Sequence, residues 1–174
     1  VHPDSSPKER ETQICMNDYK YVDLILGKQC QTKMGRGGIR PLEFKTFSKE
    51  MQNAITNYCQ AGGNFFVSGA YVASDLWDNR LVKANEEDKK FAMEVLKYKW
   101  RVGQAARNGK VKSVASPFPE ITGSYTYYQD LNPESYVVES PDALEPAAQG
   151  AFTILRYSEN NLSAGIAYKG NYKT

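Results

Sequence analysis

Ser68-Gly69-Ala70-Tyr71 follows directly on the apolar run Asn64-Phe65-Phe66-Val67. In open α/β sheets ligands collect at the carboxyl ends of strands, which makes this tetrapeptide the first candidate site. Ser68 as a nucleophile would need a base within hydrogen-bond reach. The single histidine, His2, belongs to a polar tail, and the residues around Ser68 do not form Gly-x-Ser-x-Gly. A structural turn is the stronger reading, followed by ligand contact through backbone or hydroxyl groups.

Other reactive residue types are present without the spacing their chemistry needs. Asp75, Asp78 and Asp88 lack the pattern of a calcium loop and read as caps and turns. Gly35-Arg36-Gly37-Gly38 lacks the Gly-Lys-Ser/Thr ending of a phosphate loop. Cys15, Cys30 and Cys59 form no Cys-x-x-Cys, so a zinc site is disfavoured, while a Cys15–Cys30 disulfide stays open. No metal or cofactor is expected. Tyr125, Tyr127, Tyr128 and Tyr136 present apolar faces with polar tips, a chemistry that suits sugar rings or simple edge-strand packing.

Composition narrows the class. The chain has 174 residues and suits one domain. No stretch approaches the roughly 18 apolar residues of a membrane span. The net charge of +2 gives no strong overall field, yet the charges are segregated. Lys97, Lys99, Arg101, Arg107, Lys110 and Lys112 occur without an acid between them, whereas residues 118–159 hold seven acids against Arg156 alone. The two segments either neutralise each other across the fold or leave a basic strip for an anionic partner, an acidic polysaccharide before nucleic acid.

These residues need elements to position them. Residues 1–18 read as a flexible arm. Tyr21 to Leu26, ending at Gly27, reads as a strand buried on both faces. Residues 29–46 form a loop. A helix runs over 48–61, with Ser48 as N-cap and Met51, Ala54, Ile55, Tyr58 and Cys59 on its apolar face. Gly62-Gly63 ends it, and Asn64 to Gly69 is the second buried strand of a βαβ unit. Asn85 and Asp88 resemble a capping box for a helix over about 86–98, with Phe91, Ala92, Val95 and Leu96 inward. Val111 to Val114 is a short strand. Residues 115–150, with five prolines, read as irregular or edge structure. Ala151 to Tyr157 and Leu162 to Lys169 alternate around a turn as an antiparallel hairpin.

Phe44-Lys45-Thr46-Phe47-Ser48, the helix after it and Gly62 through Trp77 together resemble the class I glutamine-amidotransferase-like domain of secreted Bacteroidetes proteins labelled xanthan lyase or xanthan-lyase-like. Val95 to Arg101 and Tyr168 to Lys173 are similar as well, so the resemblance covers residues 19–174. It implies a flavodoxin-like three-layer fold, mainly parallel with a C-terminal antiparallel hairpin, as a fragment of a larger domain. It also implies a secreted or extracytoplasmic setting. The family's nucleophilic cysteine would fall at Ala70 or Tyr71, and no histidine stands within the fold, so the resemblance implies a noncatalytic module. Such a module would act as a scaffold or weak carbohydrate binder beside other domains of its parent chain. The alternative is a polysaccharide lyase, with Tyr98 as base and Arg101 neutralising a uronate carboxylate. The expected ligand-binding set is Ser68, Gly69, Ala70, Tyr71, Asp75, Trp77, Tyr98 and Arg101. An uncovered sheet edge would favour homodimerisation; nucleic acid is not an expected partner.

Overall fold

The computed structural model describes residues 15–33, 42–77, 85–131 and 133–174. His2, Asp78 and the Gly35–Gly38 segment lie outside them, as does most of the expected N-terminal arm. After a single 3-10 turn, Met16–Asp18, strand β1 spans Tyr21–Gly27. Short strands β2 (Thr32–Lys33) and β3 (Leu42–Glu43) pair with each other. Helix α1 (Lys49–Gln60) then leads to β4 (Asn64–Gly69), which lies parallel to β1 with Tyr21 opposite Asn64 and Leu24 opposite Val67. This is the expected βαβ unit, and its boundaries follow from local chemistry.

Ser48 starts α1 by accepting a hydrogen bond from the Met51 amide at 3.3 Å. Glu50 occupies the first turn, where hydrogen bonds to its own amide and to Ser48 lower its carboxyl pKa. The buried face carries Ile55, Tyr58 and Cys59 as expected. It also carries Gln52, whereas Ala54 is exposed. Gln52 is accommodated because its amide donates to the Phe47 carbonyl at 3.1 Å and to Asp88 at 2.7 Å. At the other end the Gly63 amide donates to the Tyr58 carbonyl at 3.0 Å. A Cβ on Gly63 would sit 2.3 Å from the Tyr58 ring, so glycine is required there by close approach.

The second half departs from the parallel expectation. Helix α2 (Ser74–Trp77) is one turn long. Helix α3 (Glu86–Phe91) continues into a π-helical turn, Ala92–Leu96, closed by the Lys97 amide donating to the Ala92 carbonyl. Asn85 caps α3 by accepting from the Glu87 amide at 2.9 Å. Its expected capping-box partner, Asp88, is instead buried against Lys45 and Gln52. Strand β5 (Tyr98–Val102) pairs antiparallel with β8 (Ala143–Pro146). Strands β6 (Lys110–Ser113), β7 (Ser124–Thr126), β9 (Ala151–Tyr157) and β10 (Ser163–Tyr168) form an antiparallel sheet in the order β10-β9-β6-β7.

The fold is therefore mixed α/β: among the described strands β1–β4 is the one parallel pair and the others pair antiparallel, with an isolated parallel bridge between Asn64 and Lys173. A parallel pair needs a crossover of about a dozen residues or more, and α1 supplies it between β1 and β4. The expected hairpin is present as β9–β10. The Pro-rich 115–150 segment holds the short edge strands that were one of its two expected forms: β7 ends the antiparallel sheet, and β8, which follows Pro141 and closes on Pro146, buries Ala143 and Leu144.

The main core joins Leu26, Phe47, Ile55, Tyr58, Phe65, Leu76, Phe91, Leu96, Tyr98 and Leu144. A second cluster, Ala105, Ala106, Val111, Ala143 and Tyr157, lies under the antiparallel sheet. The last residues tie the two regions together. The Phe65 amide donates to the Lys173 carbonyl at 2.9 Å, and Tyr168 donates to Thr174 at 2.8 Å. On the far side of β1 and β4, Tyr21, Ile25 and Phe66 are exposed.

Candidate functional site

The expected strand-end residues are brought together, but mostly in structural roles. Gly69 closes β4 where a Cβ would approach Leu26 to 3.0 Å. The Ala70 amide donates to the Gly27 carbonyl at 2.8 Å, and the Ala70 side chain is fully buried. Ser68 stays within β4 opposite Ile25. The turn 70–73 then directs Tyr71 outward, where its hydroxyl donates to Glu139 at 2.9 Å. Glu139 also pairs with Lys28 at 2.9 Å, and the Lys28 ammonium holds its carboxyl below the usual range, helped by Tyr71.

Asp75 accepts from the Gln31 amide at 2.9 Å, the Thr46 amide at 2.7 Å and the Thr46 hydroxyl at 2.5 Å. It ties the segment after β1 to the segment before α1, so its acceptors are engaged within the fold. Trp77 packs against the main core. Tyr98 is buried, and its hydroxyl donates to the Val72 carbonyl at 2.5 Å. Burial holds that phenol well above its ordinary pKa. Tyr98 and Arg101 are three residues apart on β5 and point to opposite faces. They do not converge, and Tyr98 is unsuited to act as a base.

A residue that sequence reasoning did not single out organises this region. Asp142, just before β8, is buried. One carboxylate oxygen accepts from the amides of Ala73 and Ser74, both at 2.9 Å; the other accepts from the Trp100 indole at 3.1 Å. Burial raises its pKa to about 6, with the hydrogen bonds from Ser74 and Ala73 opposing the rise. Nothing in the local sequence Ser140-Pro141-Asp142-Ala143 announces a contact across 69 residues.

The three cysteines are free; Cys15 is exposed and Cys59 buried, so the possible Cys15–Cys30 disulfide is absent. The tyrosine set divides. Tyr125, Tyr128 and Tyr136 are exposed, whereas Tyr127 turns inward, edge-on to Tyr157 with ring centroids 6.3 Å apart. Burial raises the Tyr127 phenol to about 12.

Arg101 belongs to a different place, an open groove between the β5–β8 pair and β9–β10. Lys99, Arg101, Glu145, Thr153, Arg156 and Ser163 are among the residues lining its volume of about 370 Å³. Glu145 pairs with Lys99 at 3.4 Å and with Arg101 at 3.3 Å. The basic and acidic segments thus neutralise each other here in part. Arg156 joins from the otherwise acidic segment, a placement that follows from strand pairing and could not be read from local sequence.

Among the described residues no group of histidine, cysteine or carboxylate side chains is arranged to hold a metal ion, and no helix is long and apolar enough to cross a membrane. Comparison of the chain with protein-family models, curated proteins and solved structures finds no match. Function has to be read from the chain itself.

Proposed function

We propose that this chain is a noncatalytic, amidotransferase-like α/β module of a secreted, polysaccharide-processing protein, acting as a scaffold and carbohydrate binder beside other domains. One observation carries the noncatalytic half. The acids and the phenol nearest the strand end are already engaged: the half-buried Asp75 with Gln31 and Thr46, the buried Asp142 with Ala73, Ser74 and Trp100, and Tyr98 with Val72. The position where the resemblance puts a cysteine holds Ala70, buried at a tight turn. Neither a methyl group nor a phenol of ordinary pKa near 10 replaces an activated thiolate.

The β1–α1–β4 unit and its strand-end turn support the amidotransferase-like part of the reading. A flavodoxin-like three-layer arrangement is the finer form of it. In that form a further layer would cover Tyr21, Ile25 and Phe66, since parallel strands are ordinarily covered on both faces. The same face or the adjoining edge would also serve a second copy of the chain. The exposed Tyr125, Tyr128 and Tyr136 support the carbohydrate half.

The test takes purified protein and its Ala70→Cys variant through three assays. Ammonia release from glutamine should be absent from both. Acidic polysaccharide should not acquire the unsaturated ends that eliminative cleavage leaves. Migration through a gel containing that polysaccharide should be retarded. Glutamine turnover or unsaturated product from the natural chain would sink the noncatalytic reading, and unretarded migration would sink the carbohydrate reading.

A further inference from the structure

The β5–β9 groove combines three features that select a ligand chemistry. Lys99 and Arg101 share one face of β5, since both reach Glu145 despite the register shift between Trp100 and Val102. Arg156 reaches the same groove from β9, with Lys112 opposite it in the β6–β9 register. Against these cations the groove offers one acid, Glu145, placed opposite Lys99 in the β5–β8 register. The Lys99 and Arg101 pairs to Glu145 are long and exposed, at 3.4 and 3.3 Å, and such pairs contribute little stability. They can exchange one partner for another without disturbing the fold. Arg156 donates one guanidinium N–H to the Asn161 carbonyl at 2.6 Å, which restrains the side chain where it lines the groove.

We propose that this groove binds a carboxylate-bearing sugar unit of an acidic polysaccharide. The inference rests on the carbohydrate half of the function proposed above and specifies its ligand class and site. Guanidinium groups take a carboxylate through paired hydrogen bonds. Glu145, an acceptor only, takes the hydroxyl donors that a sugar ring supplies, and Thr153 and Ser163 line the same groove. The groove itself offers three lining cations, Lys99, Arg101 and Arg156, and nucleic-acid affinity comes from many phosphates neutralised in succession, which argues against a nucleic acid.

The test is an amide chemical-shift titration of the full chain with glucuronate, glucose and a short DNA duplex. Glucuronate should move the amides of Lys99, Arg101, Glu145 and Arg156, and glucose should not. Arg101→Gln and Arg156→Gln should each weaken glucuronate binding by about tenfold, as expected for loss of a charged hydrogen bond. Lys20→Gln, outside the groove, should leave it unchanged. The undisturbed shifts of the remaining amides report that each variant is folded. Equal binding of glucose and glucuronate would overturn the groove assignment while leaving a carbohydrate-binding module intact. Absence of glucuronate shifts would overturn it too, and the gel assay decides the broader reading independently. Tighter, steeply salt-dependent binding of DNA through these amides would overturn it in favour of a phosphate polymer.

Discussion

The carboxylate of Asp142 caps the amide of Ser74 at 2.9 Å across 68 residues of chain. Through the same side chain the Ala73 amide and the Trp100 indole are held as well, so one carboxylate joins the turn after β4 to β5 and the start of β8. Removing it leaves three donors unpaired in a buried setting. Asp142→Ala should destabilise the protein by about 3 kcal/mol or more, since each unsatisfied buried donor costs about 1–3 kcal/mol. Denaturant midpoints of the two proteins measure the difference.

The same residue gives a signed pH dependence. Its pKa rises from 3.8 to about 6 on folding, chiefly because burial disfavours the charged form. A group whose folded pKa is raised contributes stability that is complete below the unfolded value and is lost as pH climbs through the folded one. Relative to Asp142→Ala, the natural chain should therefore lose about 3 kcal/mol of its advantage between pH 3.8 and about 6. An advantage that grows with pH across that window would contradict the assignment.

Asp75 separates a structural role from a binding one. Asp75→Asn keeps the shape but removes an acceptor from the Thr46 and Gln31 contacts. The cost should be about 1–3 kcal/mol in chemical denaturation. Sugar binding by the folded variant should be unchanged; a binding defect without a stability defect would return Asp75 to the ligand set.

Gly63→Ala should be harmful out of proportion to one methyl group. The added carbon would lie 2.3 Å from the Tyr58 ring, and the Tyr58 hydroxyl is anchored to the Tyr19 carbonyl at 3.0 Å and the Asn64 carbonyl at 3.2 Å. The ring cannot yield without breaking those bonds, so the expected loss is about 1–3 kcal/mol, the range for overpacking. Thermal or denaturant unfolding checks it, and a neutral result would mean that the α1–β4 junction relaxes freely.

Cys59 should resist thiol reagents in the folded protein. It is buried on α1, and desolvation raises its pKa to about 11. Cys15, exposed, should label first. Mass spectrometry of partially modified protein gives the order, and early modification of Cys59 would contradict the packing.

The elements legible in sequence were those with local signals. Ser48, the apolar spacing of α1 and the Gly62-Gly63 pair define a helix, and Asn64 to Gly69 follows as a strand. The β9–β10 hairpin was legible by alternation around its turn. Strand β8 was not, because only four residues lie between its proline-marked ends and its partner, β5, is more than 40 positions earlier. Gln52 escaped notice for a similar reason. A polar residue on a helix reads as exposed unless its partners are known, and Asp88 lies 36 residues away. The candidate site suffered most from this. Asp75 and Tyr98 were expected in the ligand-binding set by residue type and place in the chain, and only the fold shows that their polar atoms are bonded to other parts of the chain. Arg156 was hidden among acids in sequence and stands beside Lys99 and Arg101 in space.

The π-helical turn Ala92–Leu96 has a consequence of its own. Its closing bond spans five residues rather than four, which amounts to a one-residue phase slip at the end of α3. The wider turn lets Phe91, Ala92 and Leu96 all reach the core, and it delivers the chain to Lys97 in the left-handed conformation, with β5 immediately after. The alternation of β5, which sends Tyr98 inward and Lys99 and Arg101 outward, is thereby set before the strand begins. Deleting a single residue within the turn would remove the slip itself, so that an ordinary α-helical turn closes before Lys97 and the two sides of β5 keep their places.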